Sequence, residues 1–188
     1  ETNRYLDREP LTADGKRIQI GINIGSAVSK QVHVHSDFVG LFRTEFLYME
    51  RQTLPSEEEQ FLAYRQVLEG ADGNLVTLRT LDIGGDKSLP YYKLPQEQNP
   101  FLGLRALRLC FNDTDLLKTQ LRAAYRASVY GKLRIMFPMV SSMEDIRRAK
   151  AVAHEVCTAL RADGIVFNPN VELGIMIEVP SITVISDL

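Results

Sequence analysis

Apolar residues along the chain alternate between short runs and longer stretches of helical period. The runs cover residues 18–24, 38–44, 75–81, 133–139 and 172–179, and they are β-branched or aliphatic and brief, as strands are. Between them the helices have readable ends. Ser56-Glu57-Glu58-Glu59 predicts a capping box, followed by Phe61, Tyr64 and Leu68 at helical spacing and closed by Gly70. Ser141-Ser142-Met143-Glu144 opens a second helix, whose stripe is Ile146, Ala149, Ala153, Val156 and Leu160, with Gly164 at its end. A third helical stretch spans residues 113–130 and follows a shorter one after Pro100. The polar opening, residues 1–16, carries a Thr12-Ala13-Asp14-Gly15 turn signal and reads as a linker or lead-in.

Strands alternating with helices predict βα units, hence an α/β fold with a mainly parallel sheet. The runs are apolar enough to predict burial on both faces, with helices on one side and a core on the other. At 188 residues the chain is shorter than the roughly 250 of a complete eight-stranded α/β barrel. Hydrophobic residues make up 45% and charged residues 24%, which excludes disorder for the bulk of the chain. A net charge of −2 argues against a nucleic-acid binder, and no apolar run is long enough for a membrane span. Two cysteines, Cys110 and Cys157, are too few for a disulfide scaffold and suggest a reducing compartment.

The charges inside the runs change the picture. By strand parity Leu41, Arg43 and Glu45 share a face; so do Leu75, Thr77, Arg79 and Leu81, and so do Gly174, Met176 and Glu178. The ionisable residues stand near the C-terminal ends of their runs, where parallel α/β folds bind ligands. A buried arginine needs an anion. An internal salt bridge to Glu45 or Asp82 would satisfy any one of them, whereas several aimed at one mouth suggest a multiply charged ligand. Asp82-Ile83-Gly84-Gly85-Asp86-Lys87 adds a glycine-bearing loop, although its spacing is not that of a Walker loop. Asn99-Pro100-Phe101-Leu102-Gly103-Leu104-Arg105 puts another arginine in the first turns of a helix.

Other residues carry less. His33 and His35 share a face of an extended segment, but no third ligand is spaced nearby and a surface pair is the plainer reading. His154 falls in a helical stripe region and reads as structural. Cys110 and Cys157 lie inside helical patterns and read as packing residues.

Six segments together resemble enzyme I of the phosphoenolpyruvate:sugar phosphotransferase system. They are Gly40-Leu-Phe-Arg43-Thr-Glu-Phe-Leu-Tyr-Met49, Leu54-Pro-Ser-Glu-Glu-Glu-Gln-Phe61, Arg79-Thr-Leu-Asp-Ile-Gly-Gly-Asp-Lys-Ser-Leu-Pro-Tyr91, Asn99-Pro-Phe-Leu-Gly-Leu-Arg105, Gly131-Lys-Leu-Arg-Ile-Met-Phe-Pro-Met139 and Gly174-Ile-Met-Ile-Glu178-Val-Pro180. The resemblance implies a TIM-like (β/α) barrel that binds phosphoenolpyruvate and Mg²⁺ in the cytoplasm. Phosphate would pass to a histidine on a separate domain, and from there to a phosphocarrier protein at the start of sugar uptake. It further implies that Arg43, Arg79 and Arg105 hold the substrate phosphate, that Glu178 is one carboxylate ligand of Mg²⁺, and that the parent works as a homodimer. The wider family includes pyruvate phosphate dikinase and phosphoenolpyruvate synthase, which share part of these motifs. A non-catalytic phosphoenolpyruvate sensor is a further alternative.

The same resemblance sets expectations about what the chain holds. Neither the Gly-Gly-x-x-Ser-His phosphohistidine signature, nor the Ile-Gly-Thr-Asn-Asp-Leu segment with the second metal ligand, nor the Gly-x-Cys-Gly-Glu segment with the proton-donor cysteine occurs in it. Residues 1–16 would then be the linker from the phosphohistidine domain. Residues 17–188 would form a partial barrel, truncated after about five strands and inactive alone. Residues 26–38 also differ from the Ala/Glu/Gly-rich helix usual there.

Overall fold

A computed structural model describes residues 8–26, 36–49, 51–85, 87 and 89–187. Its strands are β1 (Gly21–Ile24), β2 (Phe38–Arg43), β3 (Val76–Arg79), β4 (Leu133–Phe137) and β5 (Glu172–Ile175). They pair in chain order, every neighbour parallel, as one five-stranded sheet with β1 and β5 at its edges. The helices are α1 (Phe46–Met49), α2 (Glu57–Gly70), α3 (Ala106–Asn112), α4 (Thr114–Ala127), α5 (Met143–Ala162) and α6 (Pro180–Val184), with a 3₁₀ turn at Ser128–Tyr130. Parallel neighbours cannot be joined by hairpins, so each connection must cross over, and α2, α4 and α5 serve that purpose.

The two long helix starts form as the sequence pattern predicts. Ser56 accepts from the Glu59 amide while the Glu59 carboxylate accepts from the Ser56 amide, and Ser142 and Asp145 form the same reciprocal box on α5. Each box satisfies amides that would otherwise lack partners, worth about 1 kcal/mol. Phe61, Tyr64 and Leu68 of α2, and Ala149, Ala153, Val156 and Leu160 of α5, are buried. His154, by contrast, lies on the exposed side of α5 rather than in its stripe.

The core lies on one side of the sheet only. Val39, Phe42, Val76, Leu78, Leu133, Ile135 and Phe137 are buried under the helices together with Leu107, Leu117 and Leu121. The other face carries Asn23, Arg43, Thr77, Arg79, Arg134 and Glu172, of which Asn23, Arg43, Arg134 and Glu172 are exposed. The expectation of burial on both faces is therefore corrected: alternation with period two puts most of the aliphatic residues under the helices, and the opposite face mixes polar residues with the half-buried Leu41 and Met136.

Two run boundaries also differ. Residues 18–20 are not strand: Ile18 donates to the Pro10 carbonyl beside a Leu11–Arg17 bridge, and Asp37 accepts from the Ile20 amide. At the other end, β5 stops at Ile175, four residues before the apolar run does. Pro180 then starts α6 at a position where its missing N–H costs nothing. The segment expected to differ from a first barrel helix, with His33 and His35, lies mostly outside the described residues.

Candidate functional site

The site sits at the C-terminal ends of β2 and β3, where their last residues, Arg43 and Arg79, are register partners. Partners in a parallel ladder project to the same face, so both arginines leave the sheet on the side away from the helices. Arg43 is exposed and has no ion-pair partner among the described residues. Arg79 is enclosed, its side chain 7% exposed. Its Nη2 lies 2.7 Å from Oε1 of Glu45, whose side chain is 1% exposed, and 3.1 Å from Oδ2 of Asp82.

The loop after β3 brings the other members. Asp82 Oδ1 accepts from Arg105 Nη2 at 2.9 Å. Lys87 Nζ lies 2.8 Å from Glu45 Oε1 and 3.4 Å from Asp82 Oδ2. One aspartate thus gathers Arg79, Lys87 and Arg105. Burial alone would raise the Asp82 carboxyl, but the Arg105 hydrogen bond and the charges of Arg79, Arg105 and Lys87 outweigh it and hold it below the ordinary aspartate value. Among the described residues, four buried side-chain atoms have no hydrogen-bond partner: Arg79 Nε, Arg105 Nε, Glu45 Oε2 and Thr80 Oγ1. A buried donor on a guanidinium costs free energy until something accepts from it.

Gly84 and Gly85 hold this loop together. A side chain at Gly84, where φ is +118°, would meet Arg105 Cβ and would lie 2.8 Å from Arg105 Cα and 3.0 Å from the Leu104 carbonyl oxygen. Only glycine lets the backbone pass so close to Arg105. Ala106 donates to the Ile83 carbonyl, pinning the two segments together just after the arginine. Arg105 itself is the residue before α3, not part of its first turns as the sequence pattern suggests.

Glu178 forms no ion pair with the arginines among the described residues. It is exposed, lies past the end of β5 rather than on it, and accepts from the Met139 amide at 2.7 Å. That amide belongs to a residue with φ of +56°, an uncommon backbone for methionine, at the loop after β4. Strand parity therefore does not govern Glu178. Met176 does extend toward the arginines, its sulfur 3.7 Å from Arg79 Nη1. No cluster of three His, Cys, Asp or Glu side chains suited to a metal occurs among the described residues.

The two cysteines are free and buried, and burial pushes the Cys110 thiol up to about 12, which leaves it protonated and unreactive at neutral pH. The sequence pattern had singled out Glu45 and Asp82 as salt-bridge partners, and both are. It did not single out Lys87 as a member of the cluster. The signal was there in its position five residues after Asp82 on a turn closed by Gly84.

A model of the family described as "PEP-utilising enzyme, PEP-binding domain" matches residues 1–188. The chain belongs to that family. It is 48% identical over its whole length to the phosphoenolpyruvate-protein phosphotransferases of Priestia megaterium and Staphylococcus carnosus, and 50% identical to that of Geobacillus stearothermophilus. The chain spans about a third of the length of these curated relatives. Within the family match lie the whole charge cluster and the loop that carries it. No helix among the described residues is long and apolar enough to cross a membrane.

Proposed function

We propose that the chain is the phosphoenolpyruvate-binding part of a phosphoenolpyruvate-protein phosphotransferase, which moves phosphate from phosphoenolpyruvate to a protein histidine and on to a phosphocarrier. The observation that carries this reading is the anchoring of Arg79 and Arg105 on one aspartate, beside Arg43, in a chain about half identical to proteins of that name. Phosphoenolpyruvate combines a phosphate and a carboxylate, both matched by guanidinium forks. Glu45 and Asp82 keep the buried arginines aligned, while Arg43 supplies a charge that no described carboxylate neutralises. As the phosphoryl group moves, these fixed cations stabilise the charge on it without having to reorganise.

Glu178 fits a single ligand of Mg²⁺. One carboxylate oxygen accepts from the Met139 amide, which orients the group, and the exposed carboxylate remains reachable. Mg²⁺ commonly takes only one or two protein carboxylates and completes its shell with substrate oxygens and water. When bound, it would add positive charge against the substrate's phosphate. The sequential parallel strand order supports a TIM-like (β/α) barrel over residues 17–188, with 1–16 as a lead from a phosphohistidine domain. The parent would work as a homodimer in the cytoplasm, the two unpaired cysteines being compatible with a reducing compartment.

The test is product formation by the natural-length protein. Pyruvate should appear from phosphoenolpyruvate with Mg²⁺ and a phosphocarrier, without any nucleotide. Pyruvate only on addition of a nucleotide acceptor would place the parent with the dikinases, and binding with no pyruvate would make it a sensor.

A further inference from the structure

Directly beneath the arginines, on the helix side of the sheet, runs a fully buried chain of polar side chains. Gln120 of α4 is wholly inaccessible, although it lies at helical spacing within the apolar stripe of Leu116, Leu117, Leu121 and Ala124. Its Oε1 accepts from the Leu81 amide at 2.7 Å. Its Nε2 donates to Thr44 Oγ1 at 3.1 Å and to the Tyr64 hydroxyl at 3.0 Å. Thr44 in turn donates to the carbonyl of Arg79 at 2.8 Å. Behind them, Tyr64 and Tyr48 both donate to Gln60 Oε1 at 3.0 Å, and Gln60 donates to the Pro55 carbonyl.

The places this chain grips are not random. Thr44 lies between Arg43 and Glu45, and Leu81 lies one residue before Asp82 and two after Arg79. Both fall where β2 and β3 have ended and the ladder no longer fixes the backbone. Holding the Thr44 side chain and the Leu81 backbone amide fixes the chain at two points directly beside Arg43, Glu45 and Asp82. The Thr44 hydroxyl bonds the backbone of Arg79 itself. An apolar side chain at 120 would fill the core equally well and hold none of this.

From this arrangement we infer that Gln120 is a positioning residue for the anion mouth: through Thr44 and the Leu81 amide it sets the aim of Arg43, Arg79 and Asp82. The inference rests on the reading of that mouth as the phosphoenolpyruvate site. Gln120 touches neither ligand nor guanidinium. Its effect is on the spacing of the cations, and charge-assisted contacts lose much of their strength with misplacements of an ångström or less.

Comparing two lesions in the same network separates positioning from bulk stability. In the natural-length protein, Gln120→Met keeps the volume and removes both grips. Tyr64→Phe removes bonds from the far side of the network and leaves Gln120 on Thr44 and Leu81. Thr44→Val serves as a milder second variant if Gln120→Met does not fold. The expected result is that Gln120→Met or Thr44→Val weakens phosphoenolpyruvate binding about tenfold, whereas Tyr64→Phe lowers the melting temperature with affinity within about twofold. The ¹⁵N-detected Nε–H resonance of Arg79 gives a readout independent of the ligand: it should shift and broaden in the first pair and stay in place in Tyr64→Phe. Equal affinity losses in all variants of equal stability, or an unmoved Arg79 resonance in Gln120→Met, would overturn the inference. Should the wild-type protein not bind phosphoenolpyruvate at all, the substrate reading fails, and the Arg79 resonance alone still decides the role of Gln120.

Discussion

Two clusters in this molecule are built from arginines shared among carboxylates, and they solve opposite problems. On the outer surface, Arg122 reaches Glu57 and Asp163, and Arg126 reaches Glu57 and Glu58, at 2.6 to 2.9 Å. Carboxylates there outnumber the arginines, both guanidiniums are part-exposed, and Arg126 also covers the Phe61 ring. This cluster straps α2 to α4 and asks for nothing more. At the mouth, Arg79, Lys87 and Arg105 share Glu45 and Asp82, with Arg43 unpaired beside them among the described residues. Among the described residues cations are in excess there, the pairs are largely enclosed, and Arg79 Nε and Arg105 Nε have no acceptor. A strap has its charges matched at rest, whereas a binding site keeps some charge and some donors in reserve.

Removing one member from each cluster should expose that difference. Arg79→Ala leaves Glu45 and Asp82 buried with a smaller share of positive charge. It should cost about 3 kcal/mol in denaturant unfolding, besides abolishing ligand binding. Gly84→Ala strains the loop at φ +118° and drives a methyl into Arg105, so about 2 kcal/mol and a large loss of affinity should appear together. Arg126→Ala at the strap should cost about 1 kcal/mol or less and should leave affinity unchanged. A loss at the strap as large as that at the mouth would erase the distinction drawn here.

Acid should separate the regions more finely. Asp82 is held below its ordinary value of 3.8, so its contribution to stability is complete above that value and is lost as the pH falls below it. At the exposed start of α2, Glu59 is brought down from 4.5 to about 2, first by the Ser56 amide and then by Arg51 and the Ser56 hydroxyl. Its contribution is lost between those two values. Urea titrations across this range should show a flattened acid limb in Asp82→Asn and a smaller change in Glu59→Gln. An unchanged limb in Asp82→Asn would mean that the carboxylate is not engaged by the cations in solution.

The sequence was most legible where one residue type has one physical use. Ser56 with Glu59, and the serines that open α5, mark helix starts because a short acceptor is needed there, and the arginines stood out because a charge within a strand is costly. Period-two counting has no strand to act on at Glu178, which lies beyond β5 and accepts from the Met139 amide, a contact 39 residues apart that no local pattern encodes. Gln120 was legible in principle, as a polar residue on an apolar helical face. What it holds, the Leu81 amide and Thr44, depends on where two distant strands stop. The polar face of the sheet was likewise hidden, because aliphatic residues dominate each run even when every second position faces away from the core.

Arg43 is where ligand binding and fold stability separate most cleanly. It is exposed, it has no ion pair among the described residues, and its loss should leave the fold intact. Calorimetric titration of phosphoenolpyruvate with Mg²⁺ into the natural-length protein and its Arg43→Ala variant reads its contribution alone. Arg43→Ala should lose affinity roughly tenfold to a hundredfold, as for a charge-assisted contact, at an unchanged melting temperature. Equal affinity in the two proteins would contradict it, and the mouth would then be a second strap rather than a site.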